Sequence, residues 1–247
     1  MAKVHFVIHH VDYGTTMAQA KIAADAGADG LFVISHKGQD EDVVEMACEL
    51  KGITNRRAEA MDIGVNLLGT DPHDAVLIVI ARKIPMLWAD GCGITGKGVG
   101  NAGLAMFDAL SGAPGHKRVR VFAGVAFKHQ APERNPPIAA RNAKILGFVP
   151  TTSGEATGLA PEVEKIAAMS KAVGGGLAIA SGMTPENVWQ FAPYLSDILV
   201  ATGVSRDFHH FDEAKSKAFV KAVSRVRSDI AESRNQARNA ASPIKRT

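Results

Sequence analysis

The chain has 247 residues, of which 46% are hydrophobic and 21% are charged, a composition typical of a folded globular protein. Its 28 basic and 25 acidic residues leave a formal charge of +3, which argues against a partner such as nucleic acid or an anionic membrane. The two cysteines form no CxxC pair and no run of about eighteen apolar residues occurs, so we expect neither a structural zinc site nor a membrane span.

The amino-terminal residues MAKVHFVIHH have the pattern of a strand and lack the apolar core of a signal peptide, which predicts a cytoplasmic protein. Seven further short apolar runs follow along the chain. VFAGVAF and DILVA are too apolar for strands with one solvent-exposed face, as expected of parallel strands covered on both faces. The predicted strands are residues 4–9, 30–35, 63–68, 86–90, 119–127, 145–151, 177–181 and 198–202.

Helical patterns separate these strands. TTMAQAKIAADAGA ends at Gly27 and EDVVEMACELKG ends at Gly52, both as glycine caps, while DPHDAVLIVIARK begins with Asp71 as an N-cap and a proline in its first turn. APEVEKIAAMSKAVGG and TPENVWQFAPYL follow the same pattern, and residues 212–234 are predicted to form a long closing helix.

Strands that alternate with helices indicate a parallel sheet with right-handed crossovers. Eight such units predict a single (β/α)8 TIM barrel over residues 1–234, of the ribulose-phosphate-binding type, followed by a disordered tail over residues 235–247. The competing fold is a doubly wound Rossmann-like sheet. It is disfavoured because no GxGxxG motif follows the first strand.

The active sites of such barrels are built by the loops that follow the strands. ASGMTPENV follows the seventh strand and ATGVSRDF follows the eighth. Glycine lets a backbone approach an anion closely, and the N–H groups at a helix start favour negative charge. Together the two segments predict a phosphate site, although each alone is also typical of an ordinary turn. Its predicted residues are Ser181, Gly182, Asn187, Gly203, Val204 and Ser205.

Three other strand ends carry candidate catalytic groups. Asp90 is our first choice for a catalytic carboxylate, with a structural cap as the alternative, and His129 can transfer protons near neutral pH. Lys128 is expected to bind an anion rather than to form a Schiff base, unless it only extends to water. Glu155, in TTSGEATG beside Thr157, is a candidate general base or a solvated loop residue.

Other polar residues allow weaker hypotheses. Asn66 could bind a substrate oxygen or stabilise a turn. His9 stands at the first strand end, and with His10 and His36 it suggests a metal site, which we disfavour because adjacent strand residues point to opposite faces. We predict no cofactor and leave Mg²⁺ open. The glycine-rich loop around Lys97 lacks the Walker A spacing and suggests a lid, Cys92 has no evident partner as a nucleophile, and residues 209–210 are expected to cap the last helix.

Four segments in this order resemble the BtpA family: GVNLLGTDPHDAVLIV, VFAGVAFKH, TSGEATGLAPEVEKI, and ASGMTPENV followed by ILVATGVSRD. The resemblance implies a phosphate-binding TIM barrel and a link to photosystem I biogenesis in phototrophs. HHVDYGTT replaces the family's proline-glycine loop and SHKG replaces its Glu-Asn pair. The residues that the resemblance places at the barrel mouth are Asn66, Lys128, His129, Thr157, Gly158, Ser181, Gly182 and Asn187.

Two functions are compatible with these features. The first is an enzyme that acts on a small phosphorylated sugar or ribosyl metabolite by acid–base chemistry, as an isomerase, a lyase or a glycosyl-transfer enzyme. The second is a non-catalytic assembly or regulatory factor whose barrel senses a phosphate. In either case we expect a homo-oligomer.

Overall fold

The computed structural model describes residues 2–54, 61–113 and 119–241. Eight parallel strands close into a barrel in which each strand pairs with its neighbours in chain order and the first pairs with the last. The strands are β1 (Lys3–His9), β2 (Gly30–Ile34), β3 (Asp62–Asn66), β4 (Met86–Ala89), β5 (Arg120–Gly124), β6 (Val149–Thr152), β7 (Ala178–Ala180) and β8 (Asp197–Val200). The predicted (β/α)8 barrel is therefore confirmed, and the Rossmann-like alternative is wrong.

One helix follows each strand on the outside of the barrel. The helices are α1 (Tyr13–Ala26), α2 (Asp40–Thr54), α3 (Pro72–Ala81), α4 (Asn101–Gly112), α5 (Pro136–Ile145), α6 (Val163–Ala172), α7 (Val188–Phe191) and α8 (Glu213–Ala241). Between β4 and α4, a two-stranded hairpin pairs Ile94–Thr95 with Gly98–Val99. Among the described residues, no helix is both long enough and apolar enough to cross a membrane.

Cap residues set several helix ends as predicted. Asp71 accepts a hydrogen bond from the backbone N–H of His73 at the start of α3, and Gly27 ends α1 with a φ of 85°. Such a left-handed residue closes a helix at no steric cost when it is glycine. The end predicted for α2 at Gly52 is wrong, since the helix continues to Thr54.

Most predicted strands differ from the structure by up to three residues at an end, for example the strand predicted over residues 119–127, which ends at Gly124, and three other elements differ by more. The strand predicted over residues 145–151 starts too early, because Ile145 still belongs to α5 and Gly147 turns the chain with a φ of 78°. TPENVWQFAPYL forms only the four-residue α7 and a 3-10 turn, Ala192–Tyr194, since a proline in that turn has no N–H to donate. The helix α8 continues to Ala241, past the predicted end at residue 234; residues 242–247 of the predicted tail lie outside the described residues.

The barrel interior is filled by large side chains from alternate strand positions, as a closed eight-stranded barrel requires. Phe32 and Phe122 pack edge to face with ring centroids 5.1 Å apart. Gly64 makes room for them, because a Cβ at this position would lie 2.5 Å from the ring of Phe32. Most of the remaining apolar side chains pack between the sheet and the helices.

A polar cluster, which the sequence did not predict, closes the amino-terminal end of the barrel; we call it the floor. Asp197 is 1% exposed and lies 2.7 Å from Nε2 of His5 through Oδ1. Its Oδ2 accepts hydrogen bonds from Nη2 of Arg120 at 2.7 Å and from Oγ of Ser196 at 2.8 Å. Both carboxylate oxygens are thus satisfied, as a buried charge requires.

Candidate functional site

A cavity of about 330 Å³ opens at the carboxyl-terminal end of the barrel; we call it the mouth cavity. This is the end at which (β/α)8 enzymes place their active sites. Residues at or after the carboxyl-terminal ends of all eight strands contribute to its walls. Among the predicted site residues, the lining includes His9, Asp90, Lys128, His129, Thr157, Ser181, Gly182 and Gly203.

Asp90 follows β4 and faces this cavity. Burial raises the pKa of its carboxyl, whereas Asn66, the Trp88 indole and the charge of Lys128 oppose the shift. Nδ2 of Asn66 donates to Oδ2 of Asp90 at 3.3 Å, while the buried Oδ1 has no hydrogen-bond partner among the described residues. A carboxyl group with a raised pKa and an unused oxygen is suited to proton transfer with a ligand.

Asn66 does not line the mouth cavity. It is 2% exposed and reaches Asp90 from β3. Its amide therefore positions a carboxylate rather than contacting a substrate oxygen. This differs from both sequence hypotheses, in which Asn66 binds a substrate oxygen or stabilises a turn.

Lys128 and His129 lie on a strained turn after β5. Ala126 and His129 both have positive φ angles, 48° and 67°, which residues other than glycine adopt rarely. The backbone N–H of Lys128 donates to Oγ of Ser153 at 2.7 Å, and its Nζ donates to Oγ1 of Thr157 at 3.1 Å. Burial lowers the pKa of Lys128, and the charge of Asp90 opposes this shift.

Side chains from neighbouring elements hold that turn in place. Nζ of Lys165, on α6, donates to the carbonyl of Ala126 at 3.0 Å and to that of Ser153 at 2.9 Å. Gln130 donates to the carbonyl of Asp90 at 2.7 Å. These hydrogen bonds therefore hold the backbone in its strained conformation, as is typical of functional sites.

Asp90, Lys128 and His129 form one wall of the mouth cavity, and the glycine turns after β7 and β8 form a second. Ser181 and Gly182 have φ angles of 123° and 73°. A Cβ on Gly203 would lie 1.9 Å from the carbonyl oxygen of Met183, so only glycine fits between the two turns. In the hydrogen bonds of the described residues, the N–H groups of Gly182 and Gly203 donate to no protein acceptor and remain free to bind an anion.

Three residues predicted to bind phosphate have internal roles instead. Val204 is fully buried, and its N–H donates to the carbonyl of Ala201 at 3.0 Å. Ser205 donates its hydroxyl to the same carbonyl and its N–H to that of Thr202. Asn187 stabilises the turn before α7, accepting from the N–H of Thr184 and donating to the carbonyl of Gly182. The structure therefore gives these groups partners within the protein, which the sequence alone does not show.

Glu155 and Gly158 also lie outside the lining of the mouth cavity. Glu155 lies in an adjoining cavity of about 370 Å³ with Lys165, and the two cavities share Lys128 and His129. The N–H of Gly158 donates to Oγ of Ser181 at 3.0 Å, which links the loop after β6 to the turn after β7. The structure thus separates Glu155 from Asp90, which sequence reasoning had grouped in one mouth.

Aromatic rings at the end of β1 and after β2 and β8 form the third wall. His9 stacks on Phe208 with ring centroids 4.2 Å apart and on His36 at 5.1 Å. Burial lowers the pKa of His9 to about 4, with additional contributions from neighbouring His36, His209 and Lys128. Burial also lowers the pKa of His36. Both rings are therefore neutral at physiological pH.

The remaining histidines do not complete a metal site. His10 is buried in the core, where its Nδ1 lies 2.8 Å from the hydroxyl of Thr16. In the part of the chain that the structure describes, no group of three His, Cys, Asp or Glu side chains could hold a metal ion. His210 pairs with Asp207, and Asp212 accepts the capping hydrogen bond of α8 from the N–H of Lys215, so the prediction that residues 209–210 cap this helix is wrong.

Two other hypotheses find no support in the geometry. Cys92 is fully buried, burial raises the pKa of its thiol to about 12, and its Sγ donates to the carbonyl of Ala89. Such a thiol is not nucleophilic at neutral pH. The loop around Lys97 is the two-stranded hairpin, in which the N–H of Gly96 donates to Glu133, and it does not line the mouth cavity.

Sequence reasoning missed Trp88 and Phe208 as cavity residues. The period of two along β4 points Met86, Trp88 and Asp90 to the same face, so strand alternation could have identified Trp88. Phe208 lies in the irregular loop before α8, and no periodic signal marks it. The side chain of Phe208 is 55% exposed at the rim of the cavity.

No family model and no curated protein matches this sequence. Solved structures with the same fold do match. Phosphoribosyl anthranilate isomerase from Thermus thermophilus aligns with a TM-score of 0.63 at 14% identity, over 91% of this chain and 99% of that chain. A structure described as native KDPGal aligns with a TM-score of 0.62 at 15% identity, over 91% and 96%. At such identities the similarity shows the fold alone, a TIM barrel.

Proposed function

We propose that this protein is an enzyme that acts on a small phosphorylated sugar or ribosyl metabolite by acid–base chemistry at the barrel mouth. The observation that carries the proposal is Asp90, a partly buried carboxyl with a raised pKa whose Oδ1 has no hydrogen-bond partner among the described residues, and which lines the same cavity as the glycine turns. Asp197, whose role is structural, has both carboxylate oxygens bonded instead.

The phosphate is assigned to the turns after β7 and β8, where the N–H groups of Gly182 and Gly203 donate to no acceptor among the described residues. The four-residue α7 begins only at Val188, so its dipole contributes little and the turn amides supply the contacts. A structural neighbour at 13% identity, phosphoribosyl anthranilate isomerase, was crystallised with a reduced ribulose 5-phosphate derivative. That complex supports the assignment by analogy of fold.

The reacting centre is assigned to the opposite side of the mouth. β4 and β5 lie three or four strands away from β8 around the barrel, so a substrate held by its phosphate would extend across the cavity toward Asp90. There Asp90 transfers the proton, and Lys128, held by Thr157, stabilises developing negative charge. His129 is placed to exchange a second proton. The phosphate anchor allows binding energy to act at this centre.

An isomerase, a lyase and a glycosyl-transfer enzyme all need this arrangement, and the proposal covers these three classes. The alternative is a non-catalytic assembly or regulatory factor, which the resemblance to the BtpA family suggests. This alternative stays a prediction. Such a factor needs the glycine turns but has no use for a carboxyl with a raised pKa. The predicted cytoplasmic location and homo-oligomeric state also stay predictions.

The first experiment is a thermal-shift screen with phosphate, ribose 5-phosphate, phosphoribosyl pyrophosphate, nucleoside monophosphates and triose phosphates, with and without Mg²⁺. A ligand at 100 times its Kd should stabilise the fold by about 2.7 kcal/mol. T202D places a carboxylate beside the turn amides and should abolish the shift, whereas T202V should preserve it. Both are preferable to substitutions at Gly203, where any side chain meets Met183.

Turnover then separates the enzyme from the factor. D90N should reduce kcat by roughly 10²- to 10⁴-fold, the usual contribution of a general acid or base, with ligand affinity changed by less than about tenfold. If no phosphorylated compound raises the melting temperature of the wild-type protein, the phosphate assignment is wrong. If ligands bind but D90N reacts as fast as wild type, the catalytic assignment is wrong.

A further inference from the structure

The third wall of the mouth cavity has a use that the acid–base groups and the glycine turns do not explain. We infer that it binds a planar aromatic ring, so that the substrate is a phosphorylated sugar bearing an aromatic or heteroaromatic group. This inference rests on the proposed function, because it extends the same site. We call the rings of His9, His36 and Phe208 the aromatic wall.

The geometry of the aromatic wall is that of a stack. The ring of His9 is inclined by 29° to that of Phe208 and by 27° to that of His36, so His9 stacks on both neighbours at one side of the cavity. The rings of His36 and Phe208 are tilted by 54° to each other. Parallel offset rings are a favourable arrangement for aromatic groups, and a further ring extends it at little cost. Aliphatic side chains would suffice if the wall only excluded water.

Phe208 is positioned to receive such a ring. It is 55% exposed although it lines a cavity, which leaves a large apolar surface in water without a ligand. Its loop is fixed on both sides: the N–H of Arg206 donates to the carbonyl of His210, and Ser205 forms a β-bridge with Phe211. A rigid aromatic platform loses little conformational entropy on binding.

The charges of the cavity separate the two ends of the ligand. Burial lowers the pKa values of both histidines of the aromatic wall, so their rings are neutral at physiological pH. They therefore offer no cation to a phosphate, which is left to the glycine turns and Lys128. The apolar side chains of Val7, Ile34 and Leu68 line the cavity together with this wall and suit a ring rather than an anion.

The test compares ligands that differ in the ring. Ribose 5-phosphate carries the phosphate without a ring, UMP, AMP and the reduced carboxyphenylamino-deoxyribulose 5-phosphate add rings of different size, and adenosine carries a ring without phosphate. Base–aromatic stacking contributes about 1–3 kcal/mol. At least one ring-bearing phosphate should therefore bind roughly 5- to 150-fold more tightly than ribose 5-phosphate by calorimetry.

F208A should remove that advantage and leave the Kd of ribose 5-phosphate unchanged. F107A is the matched control, because Phe107 is an exposed phenylalanine on α4 outside the cavity. If ribose 5-phosphate binds as tightly as every ring-bearing phosphate, or if F208A preserves the advantage, the ring inference is wrong while the proposed function stands. If adenosine binds but no phosphate improves on it, the aromatic wall stands and the phosphate assignment is wrong.

Discussion

Two aspartates inside this barrel, Asp197 fully buried and Asp90 partly buried, have pKa values shifted in opposite directions. Burial alone would raise the pKa of Asp197, but the hydrogen bonds and charges of His5 and Arg120 outweigh burial and hold it well below its usual range. At the mouth, burial dominates and raises the pKa of Asp90, because its described hydrogen-bond partner is a neutral amide. The same residue type is therefore structural at the floor and available for chemistry at the mouth.

The comparison also predicts that neutral replacements of the two aspartates change the stability of the protein in opposite directions. At the floor, a neutral replacement leaves the guanidinium of Arg120 without its anion. At the mouth, a neutral replacement removes an ionised carboxyl whose burial destabilises the folded protein. Stability should therefore fall in the first case and rise in the second.

The largest effect is expected for D197N at the floor. Breaking a buried ion pair by neutralising one partner costs about 3–5 kcal/mol, which lowers Tm by roughly 6–20 °C in a domain of this size. D62N is the control, because Asp62 pairs with Lys3 at 3.2 Å with both side chains more than two-fifths exposed. Such an exposed pair contributes about 0–1 kcal/mol. Equal losses in the two variants, measured by calorimetry, would contradict the role given to the floor.

The acid stability of the wild type gives a second measure of the floor. The folded pKa of Asp197 is below its unfolded value of about 3.9, so its stabilisation is complete above that value and is lost as the pH falls through the folded pKa. D197N should therefore destabilise the protein strongly at pH 7 and progressively less below pH 4. A difference that stays constant down to pH 2 would contradict a charge-based role.

G203A tests the packing of the mouth rather than its charge. A Cβ that would lie 1.9 Å from the carbonyl of Met183 forces the two glycine turns apart, with an expected loss of roughly 1–3 kcal/mol. G52A, at a helical position with open space around it, should instead stabilise α2 by about 0.5–1 kcal/mol. Urea unfolding of both variants measures the contrast, and a neutral G203A would show that the turns are not closely packed.

D90N is expected to raise Tm by a few degrees at pH 7.5. The pKa of Asp90 is raised on folding, so the ionised carboxyl destabilises the folded protein once the pH rises above its unfolded value of about 3.9. The gain should therefore disappear near pH 3, where the wild-type carboxyl is protonated in both states. A Tm that falls at pH 7.5 would show that Asp90 is structural, like Asp197.

The smallest effect is expected for Cys92. A thiol with a pKa of about 12 and no exposure should not react with a thiol reagent such as Ellman's reagent at pH 8. The C48S variant, in which Cys92 is the single thiol, should release colour only after urea is added. Rapid labelling of the folded variant would restore Cys92 as a candidate nucleophile.

The barrel itself could be predicted from the sequence, because the apolar runs and helical patterns are local and recur in order along the chain. The candidate site was predicted in part. Asp90, Lys128 and Gly203 follow strand ends within a few residues, and strand ends meet at one face in any parallel barrel. Val204 and Ser205 failed as phosphate ligands because the hydrogen bonds of a short turn are decided by its three-dimensional path.

Sequence by itself therefore determined the number and order of the βα units and the end of the barrel at which chemistry can occur. Only the tertiary structure decided which polar groups meet there. The pairing of His5 with Asp197 joins residues separated by 192 positions. The stacking of His9 on Phe208 brings together a strand end and a loop from opposite ends of the chain. Such contacts depend on barrel closure, which leaves no periodic pattern at the residues involved.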